Sequence, residues 1–177
     1  ATFDADGRLW LAYEVNPEGW GKDSGPYDSS PKRMPLYRSR KVGLRVLVGE
    51  ELFTTQADVN RAMPMPDGNR RWPKSQQRFL VAGPQVVQDG SGRIWVSGRI
   101  RITRFDSAVG GTWLTFLTML DGETWRSATV VPGTDAFLHE SACLVPASDS
   151  GVRIVSASDG RQRSGAAFGL GKKEFQR

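Results

Sequence analysis

Pro84-Gln-Val-Val-Gln-Asp-Gly-Ser-Gly-Arg-Ile-Trp-Val96 is an apolar run, a short Asp/Gly/Ser turn and a second apolar run. The phrase returns in Ala1-Thr-Phe-Asp-Ala-Asp-Gly-Arg-Leu-Trp-Leu-Ala-Tyr13 and in Ala142-Cys-Leu-Val-Pro-Ala-Ser-Asp-Ser-Gly-Val-Arg-Ile-Val-Ser156. Aligned on Gly7, Gly92 and Gly151, the copies carry Asp4, Asp89 and Ser148 three residues before the glycine and Trp10, Trp95 and Ile154 three residues after it. Asp and Ser hydrogen-bond their own backbone and Gly takes positive φ without steric cost, so each polar segment reads as a hairpin turn between two antiparallel strands.

Working outward, Tyr37 to Gly49 reads as a third strand of the first copy, followed by a Gly-Glu turn and an outer strand near Leu52 to Val59. In the second copy Gly98 to Phe105 alternates Arg99, Arg101 and Thr103 against Ile100 and Ile102, the period of two of a half-buried strand, with the arginines expected on its wet face. Thr112 to Leu120 gives the next strand, Asp121-Gly-Glu a turn, and Trp125 to Val131 a last strand. Each repeat is thus about four antiparallel strands, the unit of a β-propeller blade. The division is a blade over 1–78, a blade over 79–138 and a partial blade over 139–177, in a single segment of residues 1–177. The interval from Gly7 to Gly92 exceeds that from Gly92 to Gly151 because an insertion of turn-forming residues occupies 15–36. Since propellers typically need at least four blades, the chain reads as an incomplete, all-β propeller segment.

Composition bounds the rest. The 177 residues are 38% hydrophobic and 24% charged, with six Trp and eight Phe, which gives a folded chain enough apolar area to bury. A lone Cys143 excludes an internal disulfide framework and a cysteine-rich zinc site, and no apolar run reaches the length of a membrane span. The chain opens on Ala, which reads as a processed chain or an internal piece of something longer. Its net charge of +5 is spread over alternating strand positions rather than clustered, which argues against a nucleic-acid partner.

Thr118-Met-Leu-Asp-Gly-Glu-Thr-Trp125 resembles the Asp-box of sialidase-like propellers at Thr118, Gly122, Thr124 and Trp125, with Leu120 where the Asp belongs and Asp121 one place late. The resemblance implies a structural turn between the outer strands of a blade. Asp6-Gly-Arg-Leu-Trp-Leu-Ala-Tyr-Glu14, Trp20-Gly-Lys-Asp23, Leu36-Tyr-Arg-Ser-Arg40 and Gly92-Arg-Ile-Trp-Val96 resemble the propeller region of large bacterial proteins, some with a downstream metal-dependent phosphoesterase-like domain. With His139 as its one histidine, this chain cannot supply the clustered ligands of such a domain, so no metal or other cofactor is expected.

A sialidase-like site needs arginines to grip a carboxylate bidentately and a tyrosine activated by a neighbouring base. Arg38, Arg40, Arg99, Arg101, Tyr37, Glu14 and Asp106 are available for those parts, but no phrase ties them together and the family's Arg-Ile-Pro element is absent. His139-Glu-Ser-Ala-Cys143 lacks the second histidine of a zinc helix and reads as a loop, with Cys143 packed as a small apolar residue. Trp10 and Trp95 share one repeat position and read as core between blades, whereas Trp20, Tyr27 and Trp72 lie in irregular segments where a ligand would be met. The expected ligand-binding set is therefore Trp20, Tyr27, Tyr37, Arg38, Arg40, Arg99 and Arg101. The expected function is non-catalytic recognition or scaffolding in a larger, exported bacterial protein, with carbohydrate or other domains of the same polypeptide as partners. The rival expectations are a piece of a sialidase-like glycoside hydrolase and an interaction module for an anionic polymer, the latter carried by Arg38, Arg40, Lys41 and Arg45.

Overall fold

The structure is a computed structural model that describes residues 1–15, 41–63, 80–102, 112–132, 134 and 142–156, with the backbone alone at 80, 101, 102 and 112. Over these residues the chain is all-β and antiparallel, with one 3₁₀ turn. Strands β1 (Thr2–Phe3), β2 (Leu9–Val15), β3 (Lys41–Val48) and β4 (Glu51–Thr54) form a sheet in chain order. A second sheet follows the same path through β5 (Leu80–Gln88), β6 (Ile94–Ile102), β7 (Thr112–Asp121) and β8 (Thr124–Trp125), with β9 (Thr129–Val130) also on β7. Strands β10 (Cys143–Pro146) and β11 (Val152–Val155) make a third hairpin. Neither of the two larger sheets closes on itself.

The first two repeat turns adopt one conformation, with Asp4 and Asp89 N–H bonding the Arg8 and Arg93 carbonyls, and the third shares their glycine but closes one residue earlier, Ala147 N–H bonding the Gly151 carbonyl. Gly7, Gly92 and Gly151 have φ of 76°, 84° and 83°, the left-handed region that a Cβ would penalise. The repeat also extends to the outer hairpins. Val48 pairs with Glu51 around Gly49 (φ 60°), and Asp121 pairs with Thr124 around Gly122 (φ 60°). The stretch that resembles an Asp-box thus forms the turn between β7 and β8.

Register fixes which side chains share a face. In the first sheet Leu9, Leu11, Tyr13 and Val15 lie with Leu47 and Leu52 on what we call the front, and Trp10, Ala12 and Glu14 lie with Val42, Leu44 and Val46 on the back. In the second sheet the corresponding front carries Ile94, Val96, Gly98 and Ile100 with Phe116 and Leu120, and the back carries Trp95, Ser97 and Arg99 with Thr115 and Met119. The back of the first sheet packs on the front of the second: Trp10, Val42 and Leu44 share one buried cluster with Val86, Val96, Ile100 and Phe116. Glu14 crosses the same boundary, its Oε1 accepting the Gly83 N–H at 2.8 Å. Gly83 belongs to a bulge between Ala82 and Gln85, where two residues of β5 oppose one of β6. On the far side Gln85 Oε1 accepts the Leu144 N–H at 2.8 Å and its Nε2 donates to the Ala142 carbonyl, so a side-chain amide takes the place of a strand rung and carries the third hairpin on the second sheet's back.

One cross-strand pair is repeated with its members exchanged. Tyr13 faces Gly43 between β2 and β3, and at the equivalent positions Gly98 faces Phe116 between β6 and β7. In both pairs the ring lies over the glycine, where a Cβ would clash with it. One aromatic fits each site, and either strand can supply it.

Several expectations are corrected. The outer strand of the first repeat ends at Thr54, and the chain turns into a 3₁₀ turn over Val59–Ala62 instead of running extended to Val59. Asp58 caps that turn by accepting the Asn60 N–H at 3.0 Å, and Asn60 bonds both backbone groups of Val42, at 2.8 Å from N–H and 2.9 Å to the carbonyl, beyond the point where β4 ends. The last strand of the second repeat is broken into β8 and β9, because Trp125 turns to donate its indole N–H to the Ala57 carbonyl at 3.1 Å and Ala128 N–H bonds the Ala62 carbonyl at 2.6 Å. Arg99 is buried, not on a wet face, because both faces of the second sheet are covered. Cys143 is exposed on β10 while Ala142 and Leu144 turn inward, so it is not a packed apolar residue. The segment over 16–36 of the expected insertion lies outside the described residues.

Candidate functional site

The repeat hairpins concentrate charged side chains, and their geometry decides what those charges can do. Asp4 Oδ1 accepts the backbone N–H of Asp6 at 3.0 Å and of Arg8 at 2.9 Å, while Oδ2 accepts Arg8 Nε at 2.7 Å and the Trp10 indole N–H at 2.8 Å. Asp89 repeats the arrangement with Ser91 and Arg93 backbone N–H at 3.0 Å each, Arg93 Nε at 3.0 Å and the Trp95 indole at 2.8 Å. It adds the Ser91 hydroxyl at 2.7 Å and, from the third hairpin, the Gly151 N–H at 2.7 Å. Aligned on the glycine, the third copy replaces Asp, Arg and Trp together with Ser148, Val152 and Ile154, and its strands pair one residue earlier, with Pro146 opposite Val152.

Asp4 and Asp89 are both buried. Burial by itself would raise their pKa, but the converging donors prevail and hold both below the ordinary carboxylate value, Asp89 far below it through Ser91, Trp95, Gly151 and Arg93. Every such donor stabilises the ionised form, so these carboxylates are fixed anions with no proton to give at neutral pH. They shape turns rather than perform acid–base chemistry.

Of the expected ligand residues, Trp20, Tyr27, Tyr37, Arg38 and Arg40 lie outside the described residues, as do Trp72, Asp106 and His139. Arg101 pairs with Leu80 and Trp113 in β6, and its backbone alone is described. Arg99 is 4% exposed, with its guanidinium 5.0 Å from the centre of the Trp113 ring. It occupies the position in the second sheet that Glu14 occupies in the first, which places it at the boundary with the third unit. Arg99 and Arg101 stand two residues apart on one strand. Trp10 is core, as its repeat position implied, whereas Trp95 is half-buried, with Arg93 5.8 Å above its ring.

The open space among the described residues lies elsewhere. Between the outer strands of the first and second sheets is a cleft of about 420 Å³. Trp10, Val46, Leu120 and Trp125 line it, and Phe53, Gln56 and Glu123 stand at its polar and aromatic mouth. Phe53 is 48% exposed. Because the Trp10 and Trp125 indole nitrogens are already bonded to Asp4 and Ala57, these rings offer the cleft apolar surface, and Gln56 and Glu123 offer hydrogen bonds. The residues come from β2, β3, β4 and the segment after it, and from β7, β8 and the turn between them, a combination that no local phrase marks. The one signal in the sequence is the pairing of the Gly49 and Gly122 turns, which puts Phe53 and Trp125 on outer strands.

No protein-family model matches the chain, and neither a curated protein nor a solved structure matches it.

Proposed function

We propose that residues 1–177 are a segment of a β-propeller that serves non-catalytic recognition or scaffolding in a larger, exported bacterial protein, with carbohydrate as its ligand. The observation that carries this reading is the front-to-back order of the units. A sandwich sets two inner faces against each other, whereas the first sheet here offers its back to the front of the second, as repeated units do when they stack in series. The alternating Asp, Arg and Trp of the hairpins are spent on turn geometry, which leaves recognition to the spaces between units. In the cleft between the outer strands, aromatic faces suit the C–H faces of a sugar ring, and Gln56 and Glu123 suit its hydroxyls.

A glycan array probed with the labelled chain tests this reading. Binding to neutral glycans is expected, and Phe53→Ala is expected to weaken it roughly tenfold, the loss of one aromatic contact. Hydrolysis of a fluorogenic sialoside that disappears in Arg101→Ala would overturn the reading in favour of a glycoside hydrolase.

A further inference from the structure

We propose that the front of the first sheet is a docking seat for the back of another four-stranded unit of the same polypeptide. The inference rests on the segment reading above and names the partner of one face. Phe3, Tyr13, Val15 and Leu52 are 66%, 41%, 37% and 46% exposed on that face, and Leu9 and Leu11 beside them are only half-buried. Their counterparts in the second sheet are sealed: Ile94, Val96 and Ile100, which match Leu9, Leu11 and Val15, are 6%, 0% and 1% exposed. The second strands of the two faces are alike in their aliphatic residues, while the third strand of the first face carries Arg45 and Lys41 where the second face has Thr118 and Leu114. The faces differ in exposure because the first sheet's own back lies on the second sheet's front and no described element lies on the first sheet's front.

A contiguous apolar sheet face of this kind is a mark of an interaction site. The established boundary defines the chemistry of its occupant. Trp10, Ala12, Val42, Leu44 and Val46 are what the second sheet's front accepts, so the first sheet's front fits a meander whose back bears a tryptophan on its second strand and aliphatic residues on its third. The exchanged aromatic pair prepares the same relief on both fronts, with Tyr13 over Gly43 where Phe116 lies over Gly98. Of the two charged residues on the seat, Lys41 stands at its end opposite Val15, and Arg45 sends its Nε to the Tyr13 hydroxyl at 3.2 Å, which holds that ring in place.

Hydroxyl-radical labelling of Tyr13, read by mass spectrometry, tests the docking in residues 1–177 and in the complete polypeptide. Labelling of Tyr13 is expected to be roughly tenfold slower in the complete polypeptide, as for a side chain released only by local opening, and unprotected at every concentration of residues 1–177. Equal labelling in a polypeptide that carries further units overturns the docking and leaves the segment reading standing. Protection in residues 1–177 that rises with their concentration overturns it too, assigning the face to a second copy. A gene that encodes no further unit overturns both the docking and the segment reading.

Discussion

Asp89→Ala is expected to destabilise the protein by about 3–5 kcal/mol, the range for removing one member of a buried charged network. The substitution leaves Arg93, the Trp95 indole and the backbone N–H groups of Ser91, Arg93 and Gly151 without their common acceptor. It also frees the third hairpin, which Asp89 holds together with the bond from Gly90 N–H to the Ala147 carbonyl at 3.0 Å. Asp4→Ala removes the same turn network without the link to a neighbouring hairpin, so its cost is expected to be smaller by about 1–2 kcal/mol. Urea denaturation of the two variants beside the wild type reads the difference. The network also sets a pH dependence. A carboxylate whose folded pKa lies below its unfolded value contributes stability above the unfolded value, near 4, and loses it as pH falls through the folded one. Unfolding midpoints are therefore expected to fall with pH below about 4, and Asp89→Asn is expected to flatten that fall. A wild-type midpoint that is constant from neutrality to pH 2 would contradict the role given to Asp89.

Phe116→Ala carries the second large effect, about 3–5 kcal/mol, because the ring is fully buried at the centre of the cluster shared by both sheets. Relaxation cannot close the gap cheaply. Gly98 opposite supplies no side chain, and the Pro84 Cα already stands 3.3 Å from where a Cβ on Gly98 would lie. Its exchanged counterpart gives the control. Tyr13→Ala removes a ring that is 41% exposed, and in residues 1–177 its cost is expected to stay near 1 kcal/mol, the value of a cross-strand pair. Equal losses for the two variants would mean that the fronts of the two sheets are buried alike. Thermal unfolding of both proteins, with the calorimetric enthalpy compared, makes the distinction.

What the sequence made legible is local. Asp4 to Trp10 and Asp89 to Trp95 each contain the donors and acceptor that shape their own turn, so the turn, the strands on either side and the role of the glycine can be read from seven residues, although the bond from Gly151 to Asp89 cannot. Arg99 shows where that reading stops. A period of two separates the faces of β6 correctly, but it does not say that a third unit covers the polar one, and the arginine that looked solvated is buried beside Trp113. Cys143 fails in the opposite direction: a short strand with Ala142 and Leu144 turned inward has to turn the residue between them out. The cleft at Phe53 and Trp125 was hidden for a third reason. Its two walls belong to different repeats, and what brings them together is the stacking of whole sheets. Trp125 was read as the start of a strand, and its bond to Ala57 is a contact between units that strand propensity does not contain.

The claim on which the rest depends is that the two sheets and the third hairpin are joined in series by side chains reaching across each boundary. Two amides report it separately: Gly83 N–H, donated to Glu14, and Gly151 N–H, donated to Asp89. Hydrogen exchange followed by NMR should find both amides protected, with Glu14→Ala releasing Gly83 alone and Asp89→Ala releasing Gly151. Fast exchange at both amides in the wild type, with the strand amides of β6 and β7 still protected, would contradict the stacking and leave three independent hairpin units.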